Sequence, residues 1–254
     1  MILVSYGKVD IGLIRKTNQD NIFICDTNIG ALSNLYIVAD GMGGLANGDR
    51  ASQTAISEFV KYIKDLEDVV LTTPEQIINF LRRGVNHTNY ILYKKSKELF
   101  GIDGMGTTFT AATIIGNYIY ISHVGDSRAY AINKRHIIQL TIDHSLVQEM
   151  YQNGLIALDE MSTHPMGHMI TRAIGTSEIT KIDNFMYELV DVDYILLCSD
   201  GVTRMLTDDE LFTIITKFQN NTLEKLVDNI IYNANLNGGH DNIALIMLAN
   251  LEVN

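Results

Sequence analysis

Cysteine is nearly absent: the 254 residues carry only Cys25 and Cys198, far apart and outside any CxxC pair or Cys/His cluster. That argues against a disulfide-stapled scaffold, and a reducing, cytoplasmic setting is expected. Long apolar runs are missing as well. None reaches the roughly 18 residues that a membrane helix requires, and Met1 to Asp10 shows no basic stretch leading into an apolar one. No membrane partner is expected. Positive charge is scarce too, with 19 Lys and Arg against 30 Asp and Glu and a formal net charge of -11. A surface that neutralises nucleic-acid phosphates is therefore not expected, so nucleic acid is not a partner either. Neither GxxxxGK[ST] nor GxGxxG occurs, which leaves nucleotide binding through those motifs without support. With two prolines and no linker, repeat or biased tract, residues 1–254 are expected to form one domain, and 46% hydrophobic content suffices for a sizeable core.

What is present is a succession of short apolar, β-branched runs, each closed by a turn signal. They predict strands at 22–25, 35–39, 107–115, 118–124, 129–132, 182–189, 194–198 and 243–248. Helical spacing takes over in two early segments. Ala51, Ala55, Ile56, Phe59, Val60 and Ile63 recur at intervals of three and four, as do Ile77, Ile78, Leu81, Val85, Ile91 and Leu92. Thr73 as N-cap, Pro74 in the first helical position and Gln76 compose a capping box for the second of these. Further helices are predicted at 143–153, stopped by Gly154, at 208–218 and at 223–235. Strands and helices do not alternate one for one, so a mainly antiparallel α+β layered fold is expected rather than a doubly wound parallel sheet. The stretch 155–168 has the weakest periodicity and reads as a surface loop or lid.

Four aspartates stand where an apolar strand gives way to a turn: Asp40 in Val-Ala-Asp-Gly, Asp126 in Val-Gly-Asp-Ser, Asp200 in Cys-Ser-Asp-Gly and Asp241 in His-Asp-Asn-Ile. A single Asp-Gly is ordinary turn chemistry. Repetition at four strand ends points to a carboxylate cluster, flanked by small residues that admit backbone oxygens and water, and such a cluster suits hard cations such as Mg2+ or Mn2+. A histidine site is a poorer reading. His164 and His168 are four apart, but Pro165 opposes a helix there and no third ligand of suitable spacing is near. The block Arg15-Lys16-Thr17-Asn18-Gln19-Asp20 precedes a strand. It reads either as a solvated turn or as a phosphoryl-binding segment, since the Arg15 guanidinium has the shape for bidentate capture.

Taken in order, several pieces resemble one family. They are Arg15 with Asn18-Gln19-Asp20, then Asp40-Gly41-Met42-Gly43-Gly44, Gly106-Thr107-Thr108, Gly125-Asp126-Ser127-Arg128, Asp143-His144, Thr163-His164-Pro165, Thr171 to Gly175, Ser199-Asp200-Gly201 and Gly239 to Ile243. This order resembles the protein phosphatase 2C family of metal-dependent serine/threonine phosphatases in its compact bacterial form, and it spans nearly the whole chain. The resemblance implies an α-β-β-α four-layer fold, an antiparallel β-sandwich flanked by helices on both sides, with a metal site at one end. It implies that Asp40 bridges two Mn2+ or Mg2+ ions, that the Gly41 carbonyl binds the second, that Asp200 and Asp241 bind the first, and that Asp20 supports the site through water. Asp126 with Asp200 would hold a weaker third ion. Arg15 would bind the substrate phosphate. The implied reaction is hydrolysis of phosphoserine and phosphothreonine in protein substrates, in opposition to a bacterial Ser/Thr kinase, by in-line attack of a hydroxide shared between two cations.

One departure concerns the proton donor. Met42 follows the Asp-Gly pair where eukaryotic members of that family carry a histidine, as bacterial members also carry methionine. The donor to the leaving oxygen is then either a water on the third ion or His164. Three rival readings stand beside this one. A related phosphatase that acts on a signalling protein such as an anti-anti-sigma factor would be expected within a larger multidomain chain. A metal-binding pseudophosphatase would be expected to lack a metal aspartate or the arginine, and all are retained here. A hydrolase of small phosphate esters would differ in its turnover of nucleotide against phosphopeptide.

Overall fold

The computed structural model describes residues 2–42, 47–100, 104–218 and 221–251. Its strands pair into two antiparallel sheets. One contains β2 (Asp20–Cys25), β3 (Leu35–Met42), β5 (Phe109–Ile115), β6 (Tyr118–Val124) and β9 (Asp183–Glu188) in that order, with β4 (Gly106–Thr107) paired to the end of β3. The other runs β1 (Ile2–Asp10), β11 (Ile243–Leu251), β10 (Tyr194–Cys198), β7 (Arg128–Ile132) and β8 (Ile137–Gln139).

Period-two alternation sorts their side chains into separate cores. In β3, Leu35, Ile37 and Ala39 face one cluster while Tyr36 and Val38 face the opposite one. In β11, Ile243, Leu245 and Met247 point one way and Ala244, Ile246 and Leu248 the other. Tyr36, Val38, Ala244, Ile246 and Leu248 thus fill a shared layer between the sheets. Burial on both faces explains why these strands read as continuous apolar runs.

Helices cover the two outer faces. α1 (Asn47–Asp65) buries Ala51, Ala55, Ile56, Phe59 and Ile63 against β3, and α2 (Pro74–Phe100) buries Ile77, Leu81, Val85 and Leu92 and lies against β6 and β9. Phe59 meets Phe109 edge to face, with ring centroids 5.2 Å apart, and each such ring contributes on the order of 2–3 kcal/mol of burial. On the other sheet, α5 (Asp208–Phe218) and α6 (Leu223–Leu236) bury Leu211, Ile215, Leu226, Val227, Ile230 and Ala234. The result is the α-β-β-α sandwich expected from sequence. The capping box forms as well: the Gln76 N–H donates to Thr73 Oγ1 at 3.3 Å, and Gln76 Oε1 accepts from the Thr73 N–H at 3.1 Å.

Three differences from expectation have identifiable physical reasons. The expected strand 107–115 is broken at Thr108, whose N–H donates to the Asp40 carbonyl at 2.9 Å and whose Oγ1 accepts the Asp40 N–H at 2.9 Å. The helix expected from 143 starts later, as α3 (Leu146–Gln152), because Ser145 is its N-cap and Asp143 and His144 serve other partners. The sequence does not predict β1 and β8; β1 buries none of its described side chains fully and finds its structure by pairing with β11 along its whole length. Among the described residues no helix is long and apolar enough to cross a membrane. The 155–168 stretch has turns and one short 3-10 helix, Met161–Thr163.

Candidate active site

Five aspartates gather where strands of both sheets end. Asp20 opens β2 and lies opposite Asp40 of β3 in the strand register, so the two carboxyls share a face. Asp126 follows β6, Asp200 follows β10 as the first residue of the short helix α4 (Asp200–Thr203), and Asp241 precedes β11. Burial raises the Asp40 carboxyl well above the ordinary carboxylate range, and the charges of Asp20, Asp200, Asp126 and Asp241 raise it further. Asp20 is pushed up to about 7, chiefly by burial with Asp200 and Asp241 adding, while Ser199 and Asp40 oppose. Asp126 is pushed up to about 8 by burial and then by Asp200 and Asp143, with Arg204 opposing. Asp200 is raised by burial against the pull of Arg204. Carboxylates this dry and this crowded do not all ionise without added positive charge.

The motif residues around them fix the backbone. Thr107 Oγ1 donates to the Asp40 carbonyl at 2.8 Å, and Thr108 Oγ1 and Ser127 Oγ share a hydrogen bond of 2.8 Å that ties β3 to the Asp126 turn. His144 clasps that turn from the other side: its N–H donates to the Gly125 carbonyl at 2.7 Å and its Nδ1 accepts the Gly125 N–H at 3.0 Å. Burial holds the His144 imidazole below its usual value, consistent with that accepting nitrogen. Asp143 pairs with Arg128 through Nε at 2.9 Å and Nη2 at 2.7 Å. Asn242 joins both ends of the chain, donating from Nδ2 to the Ile11 and Thr17 carbonyls at 3.0 Å and accepting the Gln19 N–H at 2.9 Å.

Arg15 reaches the same rim, where its Nη2 donates to Asp241 Oδ2 at 2.8 Å and its side chain stays 52% exposed. Gly41 follows Asp40, with its N–H on the Gln19 carbonyl at 3.1 Å. A Cβ on Gly41 would stand 2.0 Å from the Gly48 carbonyl oxygen, so only glycine lets α1 begin this close. His164 is not brought to the aspartates in any hydrogen bond of the described residues; its Nδ1 accepts the Met166 N–H at 3.2 Å within its own turn. The Gly43-Gly44 part of the motif lies outside the described residues.

The donor set fits small hard cations. Asp20 Oδ2 and Asp200 Oδ1 are buried without any hydrogen-bond partner, a costly condition that a cation or its water shell relieves. Among the described residues no three His, Cys, Asp or Glu side chains stand together as a ready ligand set for one ion. An open carboxylate rim suits Mg2+ or Mn2+, which keep several waters and take few protein ligands, better than zinc with its closed four-ligand sites.

The sequence profile of the family Protein phosphatase 2C matches residues 15–237. This chain is a member of the protein phosphatase 2C family. The serine/threonine phosphatase stp of Listeria monocytogenes serovar 1/2a is 36% identical over 243 residues, covering 95% of this chain and 93% of that protein. Protein phosphatase PhpP of Streptococcus pneumoniae serotype 2 is 34% identical over 244 residues, with 94% of each chain covered. The crystal structure of serine/threonine phosphatase Stp1 from Staphylococcus aureus superposes with a TM-score of 0.90 at 33% identity, covering 99% of this chain and 96% of that one.

Within this protein phosphatase 2C member, one residue at the site escaped sequence reasoning. Arg204 donates to Asp200 at 2.6 Å and lies 3.6 Å from Asp126. Its signal was the four-residue offset from Asp200, which places both on one helical face, but α4 is too short to announce itself by periodicity. The parts of Asn242 and Thr108 were equally hidden, because each acts through contacts distant in sequence.

Proposed function

We propose that this chain is a metal-dependent protein serine/threonine phosphatase that hydrolyses phosphoserine and phosphothreonine in protein substrates and opposes a Ser/Thr kinase, with Mn2+ or Mg2+ as its cations. The observation that carries this reading is one rim on which Asp20, Asp40, Asp126, Asp200 and Asp241 stand with Arg15 anchored beside them. Divalent cations, when bound there, acidify water and neutralise phosphoryl charge. Asp40, Asp200, Asp241 and the Gly41 carbonyl would hold two core ions, with Asp20 acting through water and Asp126 joining Asp200 around a third. Arg15 turns a planar, permanently charged fork toward the phosphoryl oxygens, where charge develops in the transition state. His164 is one candidate proton donor to the leaving oxygen, and solvent held near Asp126 and Asp200 is the alternative.

Phosphate release from a phosphothreonine peptide, set against release from a nucleoside monophosphate, tests the substrate class. The peptide is expected to be turned over far faster; equal or faster nucleotide turnover would favour a hydrolase of small esters. Arg15→Lys keeps charge and loses the fork, so its main effect should be a raised KM for phosphopeptide with little change in metal requirement. Because Arg15 also holds Asp241, an unchanged KM with collapsed metal affinity would assign it to the metal site instead.

A further inference from the structure

Arg204 closes α4 four residues after Asp200, and its N–H donates to the Asp200 carbonyl at 2.8 Å. The helical turn brings its side chain back over the rim. There Nη2 lies 2.6 Å from Asp200 Oδ2 and 3.6 Å from Asp126 Oδ2, so one guanidinium nitrogen spans two carboxylates. These are the two that would hold the third cation. Their side chains are only 10% and 8% exposed, whereas that of Arg204 is 32% exposed. Arg15, by contrast, touches a single aspartate among the described residues, Asp241.

We infer that Arg204 is a tethered counter-ion that competes with a divalent cation for the Asp126 and Asp200 pair, so that this pair fills only when the guanidinium swings outward. The inference rests on the metal-dependent reading above. Arginine sheds no proton at any working pH, so competition is relieved by movement and not by titration. Two like cations a few ångström apart repel strongly in a rim of low dielectric. The carboxylates are fixed by α4 and by the clasped Gly125 turn, while Arg204 has a path to solvent, so the arginine is the partner that yields. Its grip on Asp200 is incomplete, since Asp200 Oδ1 remains without a hydrogen-bond partner. The consequence is a third site tuned weak by this chain's own side chain.

Calorimetric titration of the metal-stripped protein with Mn2+ tests this without reference to turnover. Arg204→Gln should tighten the weakest class of sites by about 10-fold, the scale on which residues around a metal alter its affinity, and leave the tighter class as in the parent. Adding Asp126→Asn to Arg204→Gln should cancel the gain. A weak class unchanged or loosened by Arg204→Gln, with the tight class intact, overturns the inference and leaves the phosphatase reading standing. Absence of Mn2+ binding in every protein overturns both. Should Arg204→Gln not fold without metal, the wild-type protein decides: the Arg204 Nε–H resonance should shift as Mg2+ fills the weak class, and a resonance that stays fixed through that filling contradicts displacement.

Discussion

Asp40→Asn is expected to lower phosphate release from a phosphothreonine peptide by ~100-fold or more while the protein stays folded, because the carboxylate proposed to hold the cations loses its charge without a change of shape. The electrostatics of the rim add a second expectation. A carboxyl lifted above its unfolded value costs the folded state stability as pH rises past the ordinary carboxylate range, and the cost is complete above the folded value. Asp20 at about 7 and Asp126 at about 8 place that loss between roughly pH 4 and 8. Asp40 belongs to the same cluster and is raised well above its ordinary value. Removing its charge should therefore stabilise the metal-stripped protein at pH 8 and blunt the stabilisation that added Mn2+ gives the parent. Thermal unfolding with and without Mn2+ reads both effects. Near-parental turnover, or a lower melting temperature for the stripped variant, would remove Asp40 from the centre of the site.

Gly201→Ala should be nearly as damaging by a different route. A Cβ at this position would stand 1.9 Å from the Asn242 carbonyl oxygen and 2.9 Å from its carbon, both backbone atoms that have no side-chain rotamer by which to retreat. The clash falls between Asp200, one residue earlier, and Asp241, one residue before Asn242. Overpacking of this kind costs about 1–3 kcal/mol, and for a domain of this size each kcal/mol lowers the melting temperature by roughly 2–4 °C. The larger effect is on geometry, since a displacement of about 1 Å in a reacting constellation can cost on the order of 100-fold in rate. Turnover should thus fall far more than stability. A variant with parental rate and melting temperature would mean that the two aspartate turns are not held in close contact.

The reach of sequence reasoning follows from which forces are local. Every expected strand is present because each had a self-contained signal, an apolar β-branched run closed by a turn, and the doubly buried 35–39 and 243–248 read as unbroken apolar runs. The capping box at Thr73 and Gln76 is also a local device and forms as its spacing implies. What failed depended on distant partners. Thr108 interrupts an otherwise good strand to hold Asp40, and Ser145 caps a helix whose expected first residues, Asp143 and His144, are taken by Arg128 and Gly125. At the site, Asp40, Asp126, Asp200 and Asp241 were legible because the same strand-end pattern recurs, while Asp20, at the start of β2, entered only with the family resemblance. His164 had a suitable residue type and a plausible lid, but no sequence signal says where a lid rests, and here its imidazole serves Met166. Arg204 was the converse, a residue without a motif that the fold sets between two carboxylates.

The central claim is that this buried acidic rim works only as a holder of divalent cations. Phosphate release from a phosphothreonine peptide, measured on chelator-stripped protein before and after Mn2+ is restored, tests it most directly. No turnover above background is expected in chelator, with recovery on adding Mn2+ or Mg2+. Full turnover in chelator would contradict it.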